Sequence, residues 1–471
     1  MHGPAKRTRD GLHYLSLVEI SERIRRRQLT SQEVTQALLD RIGRLDQTLH
    51  SFITVLPDAA LADAGCADRE LAAGNWRGPL HGVPLGVKDV LCTQGVPTTA
   101  GMPLLREFRP AEDAEVIKRL RRAGAVLLGK LHMSEGATYE HHSLFPRPVN
   151  PWSAAHHPGL SSSGAAIAVA AGLCYGAIAS DTAGSIRVPC AANGVSGIKP
   201  TWGRVSRAGL LPLAESLDTV GTIARSAADA AALLQVIAGH DPGDPTSLAA
   251  AVPDYLAEGT AGAGGMVMGV DWRLARDEVG TEVFAAFERA VQVFSRIGVE
   301  VREVTLPDFD ALAESIRPLL LMEMAAAHAR YFPQHAEAYG PGLRGMLQRA
   351  GYGGLEVVRS YQARERFSGQ LHTLLARYDY ILLPALAEVI PTWDEFEVLA
   401  RHRASLSHRL FRFTTPLNAA GVPTLSLPCG FAAGEVPVGV QLAARSLGES
   451  LLVRAGVAFQ QATDFHLRRP P

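Results

Sequence analysis

The stretch C174-YGAIASDTAGSIRVPCAANGVSGIKP-T201 starts and ends in short apolar runs, "CYGAIASD" and "GVSGIKPT". Each run has the length and Gly/Pro punctuation of a buried strand. Between them, Thr182 to Ser185 is a cluster of small residues followed closely by the single arginine Arg187. The same texture recurs upstream in "HGVPLGVKDVL" and "AGAVLLGKL", with the helical stretch "AEVIKRLRRAG" between those two runs. It returns near the end in "YDYILLPAL", "GVPTLSLPCG" and "PVGVQLAAR". Short apolar strands alternating with helical segments predict an α/β protein, with one large mixed sheet covered by helices on both faces. Ahead of this region, Ser16 to Leu49 carries helical periodicity twice, and "TSQE" at Thr30 to Glu33 offers a capping box to the second helix. We therefore expect an N-terminal helical segment over residues 1–65, packed on a main domain spanning 66–471. Within that domain, about 239–384 reads as a mainly helical segment that is an insertion or flank rather than a separate domain.

Composition narrows the function classes. Of 471 residues, 47% are hydrophobic and 20% charged, enough apolar material for a deep core. The 46 basic and 47 acidic residues leave a net charge of −1, so no long-range field draws the chain to nucleic acid or an anionic membrane. Five scattered cysteines without C-x-x-C spacing point to a reducing compartment and away from disulfides or a zinc site. The basic N-terminus lacks the apolar core of a secretory signal, which predicts a cytoplasmic protein. "GAVLLGK", Gly124 to Lys130, imitates a phosphate-binding loop, but its four apolar intervening residues read as a strand and Leu131 stands where Ser or Thr is needed. The pairs His141-His142 and His156-His157 lack the helical spacing that would aim two rings at one metal ion.

Three elements carry chemistry in combination, although each has a structural reading alone. Ser162 or Ser163 could cap the alanine-rich helix that follows "HHPGLSSSG", "SDTAGSIR" could be a plain turn, and Lys88 could be an exposed strand end. A serine nucleophile needs a base, and no G-x-S-x-G elbow is present. Lysine serves when burial disfavours its ammonium form, and Lys88 lies in an apolar strand context. A second serine can relay the proton, while backbone N–H groups of a Gly/Ala-rich turn can converge on an oxyanion.

In these elements the chain resembles the amidase signature enzymes. The resemblance rests on "GVPLGVKD" (Gly82 to Asp89), "PGLSSSGAAIAVAAG" (Pro158 to Gly172) and "ASDTAGSIRVPCAANGVSGIKPTWGRVSRAG" (Ala179 to Gly209). It continues in "TPLNAAGVPTLSLPCGF" and "VPVGVQLAARSLGESLL" and so spans nearly the whole chain outside the middle segment. The resemblance implies an amide hydrolase with the catalytic set Lys88, Ser161 and Ser185, Ser161 lying 24 positions before Ser185 as the family's relay serine does. It also implies oxyanion donors in the N–H groups of Thr182, Ala183, Gly184 and Ser185, and a cis peptide bond at Leu160–Ser161. No metal or cofactor is implied; the expected partner is a small-molecule amide, and a homodimer is left open.

The chain departs from the family pattern at Leu160, Ser163 and Ala183, each standing where the family has Gly. It departs again in "TYEHHSLF", Thr138 to Phe145, where the family more often has Ser/Thr-Glu-Asn. Substrate contacts are therefore expected from Glu135, Tyr139, His141 and His142. Arg187 is read either as a structural ion pair with Asp181 or Asp89, or as a contact to a substrate carboxylate. The alternative function within the same resemblance is the amidase-like component of a glutamyl-tRNA amidotransferase, which works in a complex.

Overall fold

A computed structural model describes residues 11–471, apart from the side chain of Arg403. Eleven strands form one sheet: β1 (Phe52–Val55), β2 (Pro84–Lys88), β3 (Val126–Leu131), β4 (Gly176–Asp181), β5 (Ser196–Lys199), β6 (Thr219–Ala224), β7 (Val267–Val270), β8 (Glu300–Glu303), β9 (Tyr380–Pro384), β10 (Thr424–Phe431) and β11 (Pro437–Ala443). Their spatial order is β1-β3-β2-β4-β6-β5-β10-β11-β9-β7-β8. The sheet is mixed. β3, β2 and β4 run parallel at one end and β9, β7 and β8 at the other, with antiparallel pairings between them. Every residue of β2 to β6 is buried. Since side chains alternate between faces along a strand, both faces of this part of the sheet are covered.

All seven strands read from the sequence are present. "GAVLLGK" is β3, fully buried, and its Lys130 ammonium points at the Asp89 carboxylate at 3.2 Å rather than at a phosphate cradle. Four further strands escaped the sequence reading. β8, "EVRE", is a charged, largely exposed edge strand, and β7, "VMGV", has four residues; both lie in the middle segment, which is otherwise helical. The N-terminal helices are Leu17–Arg25 and Ser31–Leu49, and the second begins in the capping box read from "TSQE": Thr30 Oγ1 accepts from Glu33 N while Glu33 accepts from Thr30 N.

One consequence of topology positions the site. β2 and β4 are parallel neighbours with Val87 opposite Ile178, so their carboxyl ends emerge side by side. Lys88 closes one strand and Asp181 the other, at the edge where open α/β sheets characteristically place their functional groups.

Candidate active site

Lys88 is completely buried, and its ammonium donates to Ser161 Oγ at 2.7 Å and to Ser180 Oγ at 2.9 Å. Burial pulls its pKa down to about 7, against the opposing pull of the Asp181 and Asp218 carboxylates. Near neutrality a substantial fraction of this lysine is therefore a free amine. Ser180 is not singled out by the sequence reading, although it sits within the quoted motif.

The segment after β4 is held from below by one carboxylate. Asp181 accepts from Gly184 N at 2.8 Å, from Ile186 N at 3.0 Å, and from both Arg187 Nε and Nη2 at 3.1 and 3.0 Å. Burial alone would raise Asp181, but the Arg187 guanidinium holds it below the usual carboxylate range. Thr182 Oγ1 donates to Asp218 Oδ1 at 2.5 Å, and Asp218 Oδ2 accepts from Leu213 N at 2.9 Å and Ala214 N at 3.1 Å. Burial pushes Asp218 up to about 6. Asp218 is a second residue the sequence reading misses; it is separated from the motif by 36 positions and "SLDT" carries no local signal.

These bonds correct the oxyanion assignment at one position. The Gly184 N–H is engaged by Asp181 and is directed away from the cavity, whereas the N–H groups of Ala183 and Ser185 have no hydrogen-bond partner among the described residues. The left-handed side of backbone space is used by Gly184, with φ +140°, and not by Ala183. Alanine is therefore accommodated where the family has glycine. A Cβ on Gly184 would lie 2.5 Å from Thr414 Oγ1, so that position requires glycine.

The serine loop reaches this turn from the other side. Gly159 has φ +76°, the Leu160–Ser161 peptide is cis, and Leu160 is buried. Ser134 N donates to Ser161 O at 3.2 Å, and Ser162 N to Ser185 O at 3.3 Å, tying the loop to the turn that carries Ser185. The capping expectation for Ser162 and Ser163 is corrected: neither hydroxyl caps the helix Ser163–Ala170. Ser162 Oγ donates to Ser180 O at 3.2 Å, and Ser163 Oγ pairs with His141 Nε2 at 2.9 Å.

Ser185 opens onto a cavity of about 240 Å³ walled mainly by apolar side chains. That volume is small beside the ~300–1,000 Å³ of drug-sized sites. Thr182 and Ala183 line it as well, but Lys88 and Ser161 do not; they lie behind Ser185, shielded from solvent. Of the five expected substrate contacts, only Tyr139 lines this cavity. Glu135 is buried, accepts from Gly340 N at 2.9 Å and is pushed up to about 7 by burial. His141 packs between His132 and His157, with ring centroids 5.3 and 5.7 Å away, and burial keeps all three rings well below their usual pKa. The His142 ring accepts from Leu144 N at 3.1 Å in a surface turn. Arg187 is fully buried, and its five N–H groups meet Asp181 twice, Thr414 O, Gln441 Oε1 and Asn418 Oδ1. It has no donor left for a substrate carboxylate, which leaves the structural reading. No group of three or more His, Cys, Asp or Glu side chains among the described residues is placed to hold a metal ion. No helix there is long and apolar enough to cross a membrane.

A large mixed sheet, a buried lysine bonded to a loop serine and a second serine on a glycine turn define a hydrolase-type α/β protein. Comparison with known proteins makes the class specific: residues 33–453 match the amidase family, and the chain belongs to it. AmiD, named as an amidase, of Mycobacterium tuberculosis is 45% identical over 99% of this chain and 98% of its own length. The amidase-like component of the glutamyl-tRNA(Gln) amidotransferase of Moorella thermoacetica is 37% identical over 98% of this chain and 99% of its own. Among solved structures, the peptide amidase of Stenotrophomonas maltophilia superposes with a TM-score of 0.83 at 34% identity, covering 97% of this chain and 98% of the other. The protein is accordingly an amide hydrolase by family and fold.

Proposed function

We propose that the protein hydrolyses the C–N bond of a small carboxylic amide through an acyl-enzyme on Ser185. The observation that carries this reading is the 2.7 Å contact between Lys88 Nζ and Ser161 Oγ, with burial bringing the lysine to about 7. Neutral Lys88 takes the proton of Ser161 as Ser161 takes that of Ser185, and the Ser185 oxygen forms a bond to the amide carbon. The negative charge that develops on the carbonyl oxygen is met by the N–H groups of Ala183 and Ser185. As the tetrahedral species collapses, the proton returns through Ser161 to the departing nitrogen, which leaves as an amine or ammonia. Water then attacks the acyl-enzyme along the same relay and frees the carboxylic acid.

A fluorophosphonate probe tests the nucleophile directly. The wild-type protein should carry the label on the Ser185 peptide, and Ser185→Ala should lose both labelling and turnover. Full labelling of the variant would remove Ser185 from this role. The alternative, the amidase-like component of a tRNA amidotransferase, predicts glutaminase activity only with partner proteins; ammonia or amine release by the purified chain alone argues for the free-standing amidase.

A further inference from the structure

The cavity in front of Ser185 combines an apolar wall with an unbalanced charge. Among the described residues, the side chains lining it include Leu320, Met324, Met346 and Phe411 but no aspartate or glutamate, and its charged members are Arg317 and Arg349. The two come from separate elements: Arg317 opens the helix Arg317–His328 and Arg349 follows the helix Pro341–Gln348. Both are exposed, and neither makes an ion pair or hydrogen bond through its side chain among the described residues. Elsewhere the chain neutralises the arginines it brings near this site. Arg187 donates all five N–H groups inside the protein, and Arg412, beside Phe411, is bonded to Asp310 at 2.9 Å.

Two unpaired guanidiniums at the rim of a small apolar cavity suit one kind of ligand. A substrate with an apolar spacer would place the spacer against the wall and a terminal anion at the rim, where the planar guanidinium matches a carboxylate. A cationic end would meet like charge, and a neutral end would leave both arginines to water. Resting on the amidase reading above, we propose that the protein's substrate is an amide bearing an anionic group separated from the scissile bond by an apolar spacer, with Arg317 and Arg349 reading that group.

Steady-state kinetics on matched primary amides tests this. The anionic series is succinamate, glutaramate, adipamate and pimelamate; hexanamide is the neutral reference and 6-aminohexanamide the cationic one. The best member of the anionic series should exceed hexanamide in kcat/KM by at least about tenfold at low salt, mainly through KM. The preference should shrink as ionic strength rises, because the arginines are exposed. The ratio of anionic to neutral kcat/KM should fall by about tenfold in Arg317→Gln and in Arg349→Gln, and Arg349→Glu should shift preference towards 6-aminohexanamide. Taking the ratio within each variant removes any loss of folded protein from the comparison. Hydrolysis of hexanamide as fast as every anionic amide, or a ratio unmoved in all three variants, overturns the inference while leaving the amidase reading intact. No turnover of any amide, together with no probe label on Ser185, overturns both.

Discussion

Lys88 owes its chemistry to where it is buried rather than to what it is. An amine in water holds its proton at neutral pH, but this one has Ser161 and Ser180 hydroxyls as side-chain neighbours, and burial brings it to about 7. Because the free amine is the active form, kcat/KM should rise about tenfold per pH unit below the lysine's pKa and level off above about 7, and a pH-rate profile measures this. Lys88→Ala should lower turnover by roughly 10²–10⁴, the usual weight of a positioned acid–base group. The Ser163–His141 pair is a second residue-scale feature. Two positions that depart from the family pattern meet here at 2.9 Å, so one departure supplies the other's partner. A double-mutant cycle of Ser163→Ala and His141→Phe, followed by urea unfolding, should give a coupling of about 1 kcal/mol; additive losses would show that the contact contributes nothing.

At the scale of elements, the site is made by two irregular segments hung on two regular strands. β2 and β4 deliver Lys88 and Asp181 side by side, and the loop before the helix Ser163–Ala170 swings Ser161 between them. The loop can do this only because Gly159 takes φ +76° with its α-carbon against Pro189: a Cβ there would lie 2.5 Å from Pro189 Cα. Gly159→Ala should therefore destabilise the protein by about 2 kcal/mol or more, through strain and displaced backbone, with a drop in kcat as Ser161 moves. Denaturant unfolding and steady-state kinetics of the one variant check both effects. That helix also shows how far pattern reading goes: an alanine-rich run is legible as a buried helix, but what its leading serines bond to is not, because Ser180 and His141 reach them through space.

Across the whole molecule, Arg187 binds distant parts of the chain into one site. Its guanidinium connects the end of β4 to residues 414, 418 and 441, so the turn that carries Ser185 is braced by a part of the chain more than 220 positions away. Arg187→Met should cost about 3–5 kcal/mol, because the Asp181 carboxylate would remain buried without its counter-charge. A fall of several degrees in Tm, with weaker probe labelling of Ser185, is the expected result; unchanged Tm would mean that Asp181 is held by its backbone donors alone. The sequence by itself determined the strand-and-helix alternation, the family, and the positions of Lys88, Ser161 and Ser185, because local periodicity and long ordered motifs are written in contiguous residues. It did not reveal β7 and β8, one too short and the other too charged to stand out from the helices around them. Nor could it choose between two roles for Arg187, find Ser180 and Asp218, or show that Gly184 turns its N–H to Asp181. Tertiary structure decided those points, because a hydrogen bond or a desolvated charge depends on which atoms meet in space, and the residues that meet at this site come from the whole length of the sheet.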